Sequence, residues 1–343
     1  MPLLWSVILF LAVAVTEPIV QIRGRCAARR RTAHRDAHGH IETPTGTSRR
    51  RTGTSRRRTA RHCRGAVALD NGLVVDNVEI GYLTNRGRRR EHNEDNLYVF
   101  SPSDTPYRGA GMLFAVADGM GGHAGGEFAS RIAVETLGKY YEHYTEATGG
   151  SGNGPTVDFE IAVRDLISEA NAVIYSQSQS SPILRGMGTT LTLAVLNDQE
   201  LSLGQIGDSR AYLIRNGKIE QLTNDHSLVA EQLSMGLITE EEAQYHPAKN
   251  IITRALGTKE HVESDFYSVQ LEIDDRVILC SDGLHGVVDD QEMLRLTLGA
   301  QTTAEACIRL VEEANNRGGP DNITLVLFHL KPIKPFWRRL LKI

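Results

Sequence analysis

SLGQIGDSRAYLIRNG, residues 202–217, sets two apolar runs of strand length on either side of a Gly-Asp-Ser break and closes on Asn-Gly. Residues 202–206 and 210–215 read as strands, because short apolar and aromatic runs bounded by Gly, Asp and Ser suit a pleated, buried ladder. Asn216-Gly217 is a strong hairpin signal, since both residue types tolerate the left-handed backbone that a two-residue turn requires. Strand, break, strand and hairpin together describe antiparallel pairing, not a strand–helix–strand alternation.

The same pattern continues outward. Residues 112–118 (MLFAVAD), 190–196 (TLTLAVL), 277–282 (VILCSD) and 323–330 (ITLVLFHL) are further buried-type strands. Helical periodicity runs over residues 127–141, 158–175 and 304–314. Thr302 with Glu305 predicts a capping box at the start of the last helix, and Gly318-Gly319-Pro320 stops it. Thr239 with Glu242 marks another helix start. Strands with hairpin links and paired long helices predict an α+β chain, its antiparallel sheets packed with helices in layers. Neither GxGxxG after a first strand nor GxxxxGK[ST] is present, so nucleotide binding has no motif support.

At 343 residues the chain has room for about two domains or one large one. Its 41% hydrophobic and 23% charged content excludes a polytopic membrane protein and a wholly disordered chain. The net charge of −4 joins two unlike parts. Residues 1–65 carry 14 of the 38 basic residues and only Glu17, Asp36 and Glu42 of the acidic ones, leaving the remainder at −15. An acidic body argues against a nucleic-acid-binding core and favours bound cations. Cys26, Cys63, Cys280 and Cys307 have neither CxxC spacing nor a zinc-like His partner, and read as free thiols in a reducing, cytoplasmic compartment.

Residues 1–22 form a short apolar segment whose core, residues 3–15, is too short to span a bilayer and lacks a preceding basic residue. If it inserts, the arginines that follow hold the body on the cytoplasmic side. Residues 23–70 are Arg-rich and include a tandem heptapeptide, TGTSRRR at 45–51 and again at 52–58. Such a stretch cannot bury a core and reads as disordered, either an electrostatic tether or an extension without a selected role. A later start is a third reading, which requires a non-AUG codon such as that of Val67 or Val74, because no Met lies between Met1 and Met112. The tail, residues 332–343, is basic with Phe336 and Trp337, suited to an anionic membrane surface or a partner, or to packing back on the body.

The informative feature is where the aspartates fall. Asp95, Asp118, Asp208, Asp282 and Asp321 all sit at expected strand ends. A buried carboxylate is costly unless paired or metal-bound, and several converging carboxylates repel one another unless hard cations neutralise them. Oxygen-only ligands select Mg²⁺ or Mn²⁺. Singly, an Asp-Gly pair is an ordinary turn. Arg90, on the same short segment as Glu94 and Asp95, is suited to bidentate phosphate capture, and phosphate capture beside cations is the arrangement for metal-assisted hydrolysis.

RREHNEDN (89–96), VADGMGGHAGGE (116–127), GMGTTL (186–191), IGDSRAYL (206–213), LTNDHSL (222–228), HPAKNIITRALG (246–257), LCSDGL (279–284) and GGPDNITLV (318–326) occur in the order that resembles the metal-dependent Ser/Thr protein phosphatases of type 2C, in their bacterial form. The resemblance covers residues 75–330 and implies a phosphatase domain at 72–331. It implies a four-layer α/β/β/α sandwich with a binuclear Mn²⁺ or Mg²⁺ site at one end. By position, Asp118 is the bridging ligand, the Gly119 carbonyl and Asp95 serve one metal, and Asp282 and Asp321 serve the other. Asp208, with Asp282, matches the ligand of a third, weaker site. Arg90 takes the phosphate-binding position, and Glu94 a water-mediated or structural one.

The implied reaction is in-line attack of metal-activated water on a phosphoserine or phosphothreonine, with no phosphoenzyme. Met120 stands where many eukaryotic relatives have His, so the leaving-group acid is either His123 or a metal-bound water, and His123 also reads as a solvated loop residue. Residues 225–257 resemble a flap beside the site, with His226 and His246 in structural roles. The implied partners are phosphoproteins, a Ser/Thr protein kinase among them; the protein is read as a monomer whose catalytic domain binds no nucleic acid, with peripheral membrane contact through the termini left open as one alternative. A cysteine-based phosphatase is excluded because neither Cys63 nor Cys280 leads a phosphate-cradling loop with Arg. A catalytically dead module of the same fold would have lost ligands, and all five aspartates are present.

Overall fold

The computed structural model describes residues 20–23, 72–75, 77–101, 111–121, 124–148 and 158–332. The chain forms β1 (Val20–Arg23), β2 (Gly72–Val75), β3 (Val78–Asn85), β4 (Asp95–Phe100) and β5 (Met112–Met120), then the long helices α1 (Ala124–Thr148) and α2 (Phe159–Ser180). Next come β6 (Gly188–Thr189), β7 (Leu191–Asn197), β8 (Glu200–Ile206), β9 (Arg210–Arg215) and β10 (Lys218–Gln221). The short helices α3 (Leu228–Ser234) and α4 (Glu240–Gln244) precede β11 (Asp265–Gln270) and β12 (Arg276–Cys280). Helices α5 (Asp282–His285), α6 (Asp290–Leu298) and α7 (Thr303–Asn316) lead to β13 (Ile323–Leu330).

Two sheets result, one ordered β1-β4-β5-β7-β8-β11 with β6 paired to β5, the other β10-β9-β12-β13-β3-β2. The ladders are antiparallel as expected, except that β1 adds a parallel edge strand to β4. The sequence gives no sign of β1, since an edge is paired through main-chain groups whatever the side chains. Three apolar layers separate the elements. Leu137, Ile167 and Ile174 pack α1 and α2 on the first sheet at Leu113, Leu193 and Ile206. Leu97, Phe114 and Leu203 meet Leu213, Val277 and Phe328 between the sheets, where Phe114 and Phe328 stack at 4.5 Å. Met293, Cys307 and Leu310 cover Ile278, Leu325 and Leu327 on the outer face of the second sheet. The architecture is the expected α/β/β/α sandwich.

Local signals act as read at several points. Asn216 and Gly217 take φ of 51° and 73°, both left-handed, and close the β9–β10 hairpin. Asp158 caps α2 by accepting from the amides of Glu160 and Ile161, and the box between Thr239 and Glu242 is complete at α4. At α7 only half of the expected box forms. The Glu305 amide donates to Thr302 Oγ1, but the Glu305 carboxylate accepts from the Gln301 amide at 2.8 Å, one residue earlier than the motif implies.

The strand expected over residues 277–282 stops at Cys280, and Asp282 opens α5. Conversely β5 runs past Asp118 to Met120, because Gly119 and Met120 pair with β6. Cys280 and Cys307 are free and buried, and burial pushes the Cys280 thiol up to about 12, as befits an inert core residue. Among the described residues no helix is long and apolar enough to cross a membrane. The apolar run at 3–15, the tandem heptads, Cys26, Cys63, His123 and the tail from residue 333 lie outside the described residues.

Candidate active site

The antiparallel pairing brings one end of each central strand to the same edge of the sandwich. From the first sheet come Asp95, at the start of β4, and Asp118, near the end of β5 and directly opposite it in register. Asp208 lies in the turn that carries the chain from β8 in the first sheet to β9 in the second. Asp282 follows β12, and Asp321 precedes β13, its antiparallel neighbour. The five form one electrostatic cluster, for Asp118 feels the charges of the other four.

Burial and mutual repulsion act in the same direction. Asp95 is fully buried, and desolvation, opposed by hydrogen bonds from Thr324 and Ser281 and aided by Asp282 and Asp321, pushes its carboxyl up to about 7. Burial, then the charges of Asp282 and Asp225, pushes Asp208 up to about 7. Burial, then Asp321, pushes Asp282 up to about 6. Asp118 is driven well above the carboxylate range by burial and its four neighbours, and it shares a hydrogen bond with Asp282. Four carboxyls held this way resist full ionisation in the absence of a counter-charge.

Two observations test whether divalent cations fit. Buried Asp95 Oδ1 and Asp282 Oδ1 have no hydrogen-bond partner, which is the expected state of an oxygen reserved for a cation. The donors are all oxygen and suit Mn²⁺ or Mg²⁺. Among the described residues no three Asp, Glu, His or Cys groups already stand in a closed ligating arrangement. Arg90 Nη2 holds Asp321 Oδ2 at 2.6 Å. The residues fit the ions, whose charge would compete with this contact.

Supporting groups fix the backbone and side chains of these aspartates. Ser281 Oγ donates to Asp95 Oδ2 at 2.8 Å and accepts from the Thr324 amide at 3.0 Å. Thr190 Oγ1 accepts from the Asp118 amide, while the Thr190 amide and the Thr189 hydroxyl donate to the Asp118 carbonyl. The Gly119 amide donates to the Glu94 carbonyl, and a Cβ at Gly119 would lie 2.2 Å from the Gly126 carbonyl oxygen, so only glycine fits. Asn322 accepts from the Glu94 amide and donates to the carbonyls of Arg86 and His92, which ties the Arg90 segment to Asp321. Sequence reasoning missed Ser281, Thr190 and Asn322 as site residues. Each lies inside one of the motifs, but the site partners it reaches lie 72 to 236 residues away.

The family model for Protein phosphatase 2C matches residues 86–317, about two thirds of the chain. The chain belongs to the protein phosphatase 2C family. The Serine/threonine phosphatase stp of Listeria monocytogenes is 40% identical over 246 residues, covering 72% of this chain and 93% of that protein. The crystal structure of the Mycobacterium tuberculosis serine/threonine phosphatase PstP/Ppp superposes with a TM-score of 0.64 at 36% identity, over 74% of this chain and 99% of that one. A structure of the catalytic domain of serine threonine protein phosphatase PstP in complex with 2 manganese ions gives 0.62 at 35% identity, over 74% and 99%.

In this 2C-family chain the Asp208 turn is gripped by two histidines. Gly207, at φ +98°, donates its amide to His226 Nδ1 at 3.2 Å and accepts from the His226 amide at 2.9 Å. Because Nδ1 accepts, Nε2 carries the proton and faces Asp265 Oδ2 at 3.3 Å, while Arg254 holds Asp265 Oδ1. Burial lowers the His226 imidazole below its ordinary value, which keeps it neutral for this role. The His226 carbonyl in turn accepts from Thr253, so both ends of the 225–257 segment meet here. From the other side, His285 Nε2 donates to the Asp208 carbonyl at 2.9 Å; burial drives that imidazole down to about 3, so it stays neutral. His246 accepts from the Ala248 amide, a local turn contact.

Proposed function

We propose that this chain is a metal-dependent serine/threonine protein phosphatase, hydrolysing phosphoserine and phosphothreonine in proteins. The observation that carries the reading is the convergence of Asp95, Asp118, Asp208, Asp282 and Asp321 beside Arg90, with two buried carboxylate oxygens left without partners. Family membership and relatives named as serine/threonine phosphatases support it.

In this reading Asp95, Asp118 and the Gly119 carbonyl would hold one Mn²⁺ or Mg²⁺, Asp118, Asp282 and Asp321 a second, and Asp208 with Asp282 a weaker third. Ions bound there would supply a lowered pKa for bound water and positive charge to offset that on the phosphoryl oxygens. Arg90, half exposed and with its guanidinium pKa raised by the Asp321 hydrogen bond, binds the phosphoryl group and orients phosphorus for in-line attack. Ser281 and Thr190 hold Asp95 and Asp118 in place. His123 is the proposed leaving-group acid. Residues 72–331 form the catalytic domain, which works in the cytoplasm on phosphoproteins that include a Ser/Thr kinase.

The test is p-nitrophenyl phosphate and phosphothreonine-peptide hydrolysis by the full chain with Mn²⁺ and with EDTA. Turnover that needs the metal is expected, and none under either condition would leave a binding module of the same fold. Phosphoproteomics of a deletion strain against wild type then identifies the substrates, and liposome sedimentation with and without residues 332–343 tests membrane contact.

A further inference from the structure

Residues 86–90, RGRRR, turn between β3 and β4 at the mouth of the candidate site. Two features make this turn rigid. The amides of Arg88 and Arg89 both donate to the Gly319 carbonyl, at 2.9 and 3.2 Å, and the Gly87 amide donates to Asn85 Oδ1 at 2.9 Å. Gly87 has φ +76°, and a Cβ there would lie 2.1 Å from the Asp321 carbonyl oxygen, so the turn is packed against the segment that presents Asp321. Its side chains project from a base fixed relative to the site.

Those side chains lack counter-charges. Arg86, Arg88 and Arg89 are exposed. Arg86 donates only to the Glu91 main-chain carbonyl, Arg88 reaches Asn316 Oδ1 at 3.4 Å, and none of the three forms an ion pair among the described residues. Elsewhere on the body Arg210, Arg215, Arg309 and Arg317 each hold a carboxylate. The body from residue 66 on carries a net charge of −15, so acidic partners are not scarce. Three unpaired guanidinium groups beside Arg90 leave the strongest available interaction for these side chains to an incoming anion.

We propose that the turn at residues 86–89 is an accessory anion subsite, which takes a second phosphoryl group or an acidic side chain close to the scissile phosphoresidue in the same substrate segment. The proposal rests on the phosphatase reading of the neighbouring site. It makes the enzyme selective for clustered negative charge, through Arg88 and Arg89 foremost, while Arg90 serves the group that is cleaved.

The test uses the full chain with Mn²⁺ and three peptides of one backbone, each with a single cleavable phosphothreonine. The first has neutral flanks, the second a non-hydrolysable phosphonate at a neighbouring position, and the third Asp there. Wild type is expected to favour the second or third over the first by about five-fold in kcat/KM at low salt, the size of two exposed charge pairs, and to lose the preference in 0.5 M NaCl as about a 4 Å screening length takes over. Arg88→Ala/Arg89→Ala should bring all three within about two-fold with p-nitrophenyl phosphate turnover unchanged. A preference for the phosphonate alone assigns the subsite to phosphate, and an equal preference for Asp assigns it to acidic side chains generally. Equal rates in wild type, a preference that survives in the variant, or a variant equally impaired on p-nitrophenyl phosphate would each overturn the subsite. Absence of all turnover in wild type would instead defeat the phosphatase reading.

Discussion

Asp95 stands directly opposite Asp118 in the β4–β5 ladder, so two carboxylates share one face of the sheet at the spacing where like charges destabilise a pair. Together with Asp208 and Asp282 they make the metal-free protein sensitive to pH. Asp95 and Asp208 are pushed up to about 7 and Asp282 to about 6, whereas the unfolded chain ionises near 4. Between those values the native state holds more protons than the unfolded state, so stability is fully present below about pH 4 and falls as pH rises toward 7. Calorimetry in EDTA should show this cluster lowering Tm from pH 5 to pH 7.5, and Mn²⁺ should reverse the fall. A rise in Tm over that interval in EDTA would contradict the assignment.

Asp282→Asn keeps the volume of a residue that heads α5 and removes one charge from the cluster. Turnover of p-nitrophenyl phosphate is expected to drop on the order of a hundred-fold or more, as befits several kcal/mol of lost transition-state stabilisation. In EDTA the variant should melt no lower than wild type, with an unchanged circular dichroism spectrum. Retained activity would remove Asp282 from the ligand set.

Gly119→Ala places a methyl group 2.2 Å from the Gly126 carbonyl oxygen and 2.6 Å from that of Glu94. Both obstacles are backbone, so relief requires β5 and the start of α1 to separate, at about 1–3 kcal/mol. Gly125→Ala meets only Met187, at 3.3 Å, and should be near neutral. Urea denaturation of the two variants tests the contrast, and equal midpoints would count against it.

His226→Gln leaves the Gly207 amide without its imidazole acceptor, whereas His226→Asn keeps an acceptor close to the Nδ1 position. If Asp208 serves the weakest metal site, the Gln variant should weaken that Mn²⁺ binding step about ten-fold, the scale of a lost outer-sphere contact, while Asn retains most of it. Isothermal titration with Mn²⁺ reads this directly. Equal weakening in both variants would point to packing alone.

Much of the fold was legible because its signals are local. Arg210–Arg215 and Ile323–Leu330 match the strands read from their apolar runs, and Asn216-Gly217 turns as its residue types require. The misreadings fall where tertiary pairing overrides a local pattern. Cys280-Ser281-Asp282 looks like continuing strand, yet the Ser281 amide and hydroxyl bond Thr324 and Asp95, and the chain turns into α5. The five aspartates were legible as a set from their strand-end positions. Ser281 and the His226 grip on Gly207 were not, because a hydroxyl or imidazole carries no sign of which distant main-chain group it will meet.

The stacked rings of Phe114 and Phe328 belong to the strands that also present the aspartate-bearing edge: Asp118 lies four residues along β5 from one ring, and Asp321 just before the strand that carries the other. The aromatic pair therefore works as a gauge block, setting how far apart the two β-layers sit and so the width of the gap their carboxylates must bridge. Trimming either ring is expected to alter the spacing of those carboxylates from within the core between the sheets.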